Sequence, residues 1–177
     1  QNKVNLIPDE KAMIIWKLFL INTYIVVEHT TLMNVNLVKA ADVFFPTSSL
    51  EMVYFEAIAN AIDADASNIE IIINIKSAVD HKSLSIYISD NGTGFSDKNF
   101  KKFSSLLEVE NDEHKGLGRL VFLKYFEKVA FVSNYENKKK RRFELTYDFN
   151  GENTTEDEIG VSGTTAHFVG YMKEKLA

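Results

Sequence analysis

A chain of 177 residues fits the roughly 100–200 residues of one ordinary domain, and 45% hydrophobic with 25% charged residues is a globular balance. These figures exclude a disordered, collagenous or coiled-coil chain. The absence of cysteine excludes disulfides and thiolate-bound zinc or iron–sulfur centres, and it fits a reducing, cytoplasmic setting. A net charge of −5 is a poor match for sequence-independent nucleic-acid binding, which rests on neutralising phosphates. The four histidines, His29, His81, His114 and His167, stand far apart with no metal-ligand spacing.

The chain opens Gln1-Asn2-Lys3, without an initiator methionine or a secretory cleavage pattern, which reads as a fragment or a processed start. Pro8 before Asp9-Glu10 marks a helix start, and the helix is expected to reach about His29. Its most apolar part, Ala12 to Val27, is broken by Lys17 and Asn22. It falls short of the roughly 20 apolar residues that span a bilayer, so it reads as a buried or partner-facing helix. Thr30 to Val38 is β-branched and reads as a strand. Pro46-Thr47-Ser48-Ser49 opens the clearest helix, with Ser48 and Glu51 spaced as a capping box, and it is expected to run through Ala64.

Two strands follow, Asn68 to Ile75 and Leu84 to Ser89, joined as a hairpin through a turn at Val79 to Lys82. Asp90-Asn91-Gly92-Thr93-Gly94 breaks the second. Asp97 to Leu107 reads as a short helix and Glu108 to Lys115 as an acidic loop. Gly116-Leu117-Gly118 leads into a helix from Arg119 to Phe126. Strands are expected at Lys128 to Ser133 and Arg142 to Phe149, joined by a charged loop. A polar insert, Gly151 to Ser162, precedes a last strand at Thr164 to Phe168. Strands that come as adjacent hairpins predict an α+β two-layer sandwich: a mainly antiparallel mixed sheet covered on one face by helices.

Three segments carry chemistry. On the helix after Ser49, Glu56, Asn60 and Asp63 share one face, and Val53, Tyr54, Ala57, Ile58, Ala61 and Ile62 form the opposite stripe. The polar face is read either as solvated or as functional. Asn60 within a helix is mildly unfavourable, which weighs towards a purpose. Asp90 to Gly94 ends a strand with an acceptor at the sheet's lip and glycines that allow a ligand close; an ordinary Asn-Gly turn is the alternative. Lys115-Gly116-Leu117-Gly118-Arg119 presents glycines before a helix and a lysine at the rim, the makings of an anion site or of an unliganded helix start. It is neither a Walker A loop nor a Rossmann fingerprint. The basic run Lys138 to Arg142 reads as a solvated loop, with a nucleic-acid, lipid or localisation contact as the alternative.

The order of these pieces decides more than any one of them. Glu-x-x-x-Asn-Ala-x-Asp-Ala, then Asp-x-Gly-x-Gly, then Gly-x-Gly at a helix start, then Gly163-Thr164-Thr165 on a late strand resembles the GHKL ATPases. These comprise the DNA gyrase B subunit, the heat-shock chaperone of the same fold, histidine kinases and MutL. The stretch Glu56 to Ala66 resembles their N box, closest to MutL-like members; Asp90 to Gly94 resembles the first glycine box and Gly116 to Gly118 the second. The likeness covers about Thr47 to Val169. It implies a Bergerat-type domain over residues 47–177 that binds ATP or ADP with Mg²⁺ and hydrolyses ATP. Residues 1–46 would form an N-terminal arm, either dimerising on ATP binding or part of the core.

The resemblance also implies roles. Glu56 would be the general base and Asn60 the Mg²⁺ ligand, with Asp63 beside them. Asp90 would accept from the adenine amino group, Gly92 and Gly94 would line the base pocket, and Thr164 or Thr165 would hydrogen-bond nearby. Lys115 with Gly116, Leu117 and Gly118 would hold the phosphates, and Ser96 to His114 would form a lid. A histidine-kinase ATP domain is disfavoured, because kinases usually lack a glutamate at the position of Glu56. The remaining alternative is a nucleotide switch that does not hydrolyse. The domain reads as the N-terminal motor of a larger protein, reaching nucleic acid only through other domains and engaging no membrane.

Overall fold

The computed structural model describes residues 2–6, 37–77, 79–104 and 118–173. The expected helix from Asp9 to His29, the acidic loop, and Lys115, Gly116 and Leu117 lie outside them. The elements are β1 (Asn2–Leu6), α1 (Leu37–Phe44), α2 (Glu51–Asp63), β2 (Ile69–Asn74), β3 (Ser85–Asp90), α3 (Asp97–Ser104), α4 (Leu120–Tyr125), β4 (Phe126–Tyr135), β5 (Lys139–Leu145), β6 (Thr154–Asp157) and β7 (Gly163–Tyr171). Seven strands form one sheet in the order β1-β2-β3-β7-β4-β5-β6. Every pairing is antiparallel, so no parallel pair enters among the described residues.

Alternation sets which face is dry. Ile69 and Ile71 of β2, Ile86 and Ile88 of β3, Val129 and Phe131 of β4, and Ala166 and Phe168 of β7 are buried with Val53, Ala61 and the apolar side of α4. This is the α+β sandwich expected. Under α3 the core is aromatic: Phe131 and Phe143 stack with centroids 4.7 Å apart, Phe95 meets both edge-on, and Phe103 meets Phe131 edge-on.

Helix α2 has no Gly or Pro, and it ends where Ala64 bonds back to Asn60 and Asp65 takes a left-handed φ of 60°. Its expected capping box is not made. The helix starts at Glu51, with Leu50 at the cap position and no side chain capping it, so Glu51 is the first residue of the helix instead of the third. Ser48 serves another contact: its carbonyl accepts the Tyr125 hydroxyl at 2.6 Å.

Four local expectations change. Leu37 and Val38 begin a helix, α1, that packs on α4, where Lys124 donates to the Phe45 carbonyl. The basic run is not a loop: Lys139 to Arg142 pair with β4, behind a tight turn in which Glu136 and Asn137 both have positive φ (53° and 56°). Within that run Arg141 is buried and donates to the carbonyls of Phe95 (2.9 Å) and Ser96 (3.0 Å) and to the Asp97 carboxylate. Finally, β1 and β6 are strands that the sequence pattern did not announce.

Candidate functional site

The sheet brings three strand ends to the C-terminus of α2. Asp90, the last residue of β3, is opposite Ile69 on one side and Thr164 on the other, and Thr164 is opposite Ser133 of β4. The turn after Asp90 is stitched to the helix end. Thr93 N–H donates to the Ala64 carbonyl (2.8 Å), and Asn91 Oδ1 accepts the N–H groups of Ser67 and Asn68 (2.9 Å each). Asp90 Oδ1 accepts the Gly92 N–H at 2.8 Å. Burial raises the Asp90 pKa, against the lowering effect of the Gly92 and Thr164 N–H groups.

Gly94 shows why its position takes glycine. Its φ is +74°, and a Cβ would stand 2.3 Å from the Asn134 carbonyl oxygen. Next to it, the fully buried Ser133 hydroxyl accepts the Phe95 N–H (2.8 Å) and lies 3.0 Å from Thr164 Oγ1. Asn99 of α3 donates to the Gly94 carbonyl at 2.9 Å. These bonds close one end of a cavity lined by Asn60, Asp63, Asp90, Gly94, Thr164 and Arg119, with an apolar floor of Ile88, Phe131, Ala166 and Phe168. Thr165 is not part of it. One residue along a strand reverses the face, and Thr165 bonds to Ser89 (2.9 Å) on the side away from the helices.

Beside the cavity lies Glu56. It is only 8% exposed, whereas Asn60 and Asp63 on the same helix face are exposed. Asn60 Nδ2 donates to Glu56 Oε1 at 3.3 Å. Gly118 packs directly on the carboxylate: a Cβ there would be 2.0 Å from Oε2. Burial pushes the Glu56 pKa up to about 7; the Asn60 hydrogen bond and the Arg119 charge pull the other way, and Asp63 adds to the rise. A carboxyl group poised there can take or give a proton near neutral pH.

Of the residues named from sequence, the structure brings Asn60, Asp63, Asp90, Gly94 and Thr164 to one cavity, with Glu56 and Gly118 adjoining it. Gly92 turns the chain at its lip. Lys115, Gly116 and Leu117 fall outside the described residues. Sequence reading passed over Ser133, and it gave no individual role to Asn99, within the expected lid, or to Arg119, the end of the Lys115–Arg119 segment. For Ser133, a polar residue at a core-facing position of an alternating strand was the available signal. No group of three or more His, Cys, Asp or Glu among the described residues could hold a metal. Mg²⁺ does not require one, since it keeps waters and takes few protein ligands alongside phosphate oxygens. With Nδ2 turned to Glu56, the Asn60 amide oxygen is the hard donor left for such an ion.

The model of histidine kinase-, DNA gyrase B-, and HSP90-like ATPases matches residues 47–172. The chain belongs to this ATPase family. No curated protein matches the chain. Among solved structures it is similar to the N-terminal domain of a DNA repair protein, with a TM-score of 0.54 and 22% identity over 78% of this chain. That likeness speaks to the fold. The chain spans 39% of the length of that solved chain. As a member of the family, this domain has an ATP-binding type of fold with its cavity between helix and sheet. No helix among the described residues is long and apolar enough to cross a membrane.

Proposed function

We propose that this domain binds Mg²⁺–ATP in the cavity between α2 and the sheet and hydrolyses it, with Glu56 as general base. One observation carries the reading: a buried carboxyl poised at about pH 7 adjoins the cavity and is held by Asn60, an amide able to ligate Mg²⁺. At the other end, Asp90 offers a half-buried acceptor to an adenine amino group, with Thr164 beside it. When bound, Mg²⁺ would neutralise charge on the phosphates. Glu56 would orient the attacking water and accept its proton, and Asn60 would fix the carboxylate's direction. Gly118 would keep that carboxylate from turning away. The domain would serve as the nucleotide-driven module of a larger protein, pairing with a second copy when ATP is bound.

The test is Glu56→Gln, which keeps shape and removes the proton acceptor. ATP affinity should stay within about threefold while hydrolysis falls at least a hundredfold, the lower end of about 10²–10⁴ for general-base catalysis. Parental turnover in the Gln variant removes Glu56 as base. Tight ATP binding with no turnover in the parent, alone or within its larger protein, makes the domain a nucleotide switch.

A further inference from the structure

Arg119 is 3% exposed, yet its Nε and Nη2 have no hydrogen-bond partner. Its guanidinium lies over the Phe103 ring, 4.4 Å from the centroid, and the side chain lines the same cavity as Asn60, Asp90 and Thr164. A ring face balances part of the charge but satisfies no N–H donor. Burial pulls the Arg119 pKa down to about 10, so the group is still a cation at neutral pH, and Glu56 is the charge that supports it. A buried cation with unsatisfied donors is costly to fold around. Those two donors form one edge of a planar fork, which matches two oxygens of a phosphate.

We propose that Arg119 is a ligand-contacting residue whose Nε and Nη2 grip the phosphate chain of the bound nucleotide. The proposal rests on the nucleotide reading of the cavity. It adds a side-chain contact within the domain, separable by substitution from whatever backbone groups contribute. Affinity should therefore depend on Arg119 for ligands with phosphates and not for the bare nucleoside.

The experiment is calorimetric titration of the 177-residue chain, Arg119→Met and Arg119→Lys with adenosine, ADP and ATP at fixed Mg²⁺ and salt. Met fills similar volume, and replacing a buried charge by an apolar group is often tolerated. The expected result is a loss of at least about thirtyfold for ADP and ATP in the Met variant, which is about 2 kcal/mol at 1.4 kcal/mol per tenfold, with adenosine within about threefold. Arg119→Lys keeps charge without the fork and should lose at least about fivefold for ADP alone. Unchanged ADP affinity in a folded Met variant overturns the proposal, as does equal weakening of adenosine and ADP, the mark of a purely structural role. Should Arg119→Met not fold, unchanged ADP affinity in the Lys variant overturns it. A parent that binds neither adenosine nor ATP fails the nucleotide reading instead. Inorganic pyrophosphate then decides Arg119 alone: binding that the Met variant loses supports the phosphate grip, and no binding overturns it.

Discussion

Glu56 ought to be a burden on folding, and removing its charge should make the domain more stable at high pH. Its folded pKa of about 7 is raised from the ordinary 4.5, chiefly by burial. Between those values the folded chain holds a proton that the unfolded chain releases, so stability falls as pH rises through the window. The gap between about 7 and 4.5, at about 1.4 kcal/mol per pH unit, comes to about 3 kcal/mol in full, most of it falling between pH 5 and pH 8. Glu56→Gln keeps the volume and an oxygen for Asn60 to donate to, and it does not titrate. Urea unfolding of both proteins at pH 5 and pH 8, at equal ionic strength, reads the effect. Whatever Gln costs or gains in packing is common to both pH values and cancels. The stability of the variant relative to the parent should rise by about 2–3 kcal/mol from pH 5 to pH 8. A difference that is flat to within about 0.5 kcal/mol would refute the argument from burial. A difference of opposite sign would mean that Arg119 dominates and holds Glu56 ionised.

The same carboxyl group sets the rate profile: hydrolysis should rise with pH and level off above about 7, and a flat profile from pH 6 to pH 8 counts against Glu56 as base. Asp90→Asn should weaken ATP by about 1–3 kcal/mol in calorimetry and erase a preference for ATP over GTP, because one of the two carboxylate acceptors at the base site becomes an NH₂ donor; unchanged selectivity places the base elsewhere. In Gly118→Ala the new Cβ, 2.0 Å from Glu56 Oε2, must displace the carboxylate, so turnover should drop at least about tenfold while ATP still binds. Arg141→Leu strips the donors from the Phe95 and Ser96 carbonyls and should cost about 3 kcal/mol in urea unfolding; a cost below 1 kcal/mol would show that water replaces them.

The fold was legible wherever one face of an element is dry. Alternation in Leu84 to Ser89 and the apolar stripe of α2 announced β3 and the helix that covers it, because each buries one side against the other. Strands that bury nothing leave no such trace. In β6, Thr154 to Asp157 is exposed at every position and is a strand only because its backbone pairs with β5, helped by Arg142–Glu156 across the pair. The basic run misled for a related reason. Charge suggests solvent, yet Arg141 points its guanidinium inward, where it finds the Phe95 and Ser96 carbonyls and the faces of Phe100 and Tyr135. A ladder register turns a row of cations into alternating sides, and composition alone does not carry that.

The site divides along the same line. Helical spacing placed Glu56, Asn60 and Asp63 on one face, and for the last two the solvated reading of that face describes their exposure. Glu56 parts from them one turn earlier because a second segment arrives there: Gly118, just ahead of α4, lies on its carboxylate and excludes water. Only a residue without a side chain can approach so closely, so the glycine that reads in sequence as a helix start is also what buries the carboxyl and raises its pKa. The next residue, Arg119, is carried by the same approach into the cavity wall, where its charge acts on Glu56 and its Nε and Nη2 donors remain unused. Periodicity within one helix shows which residues share a face. What that face does is set by the segment packed on it, and here two consecutive residues, a glycine and an arginine, convert a solvated helix face into a poised carboxyl beside an unsatisfied cation.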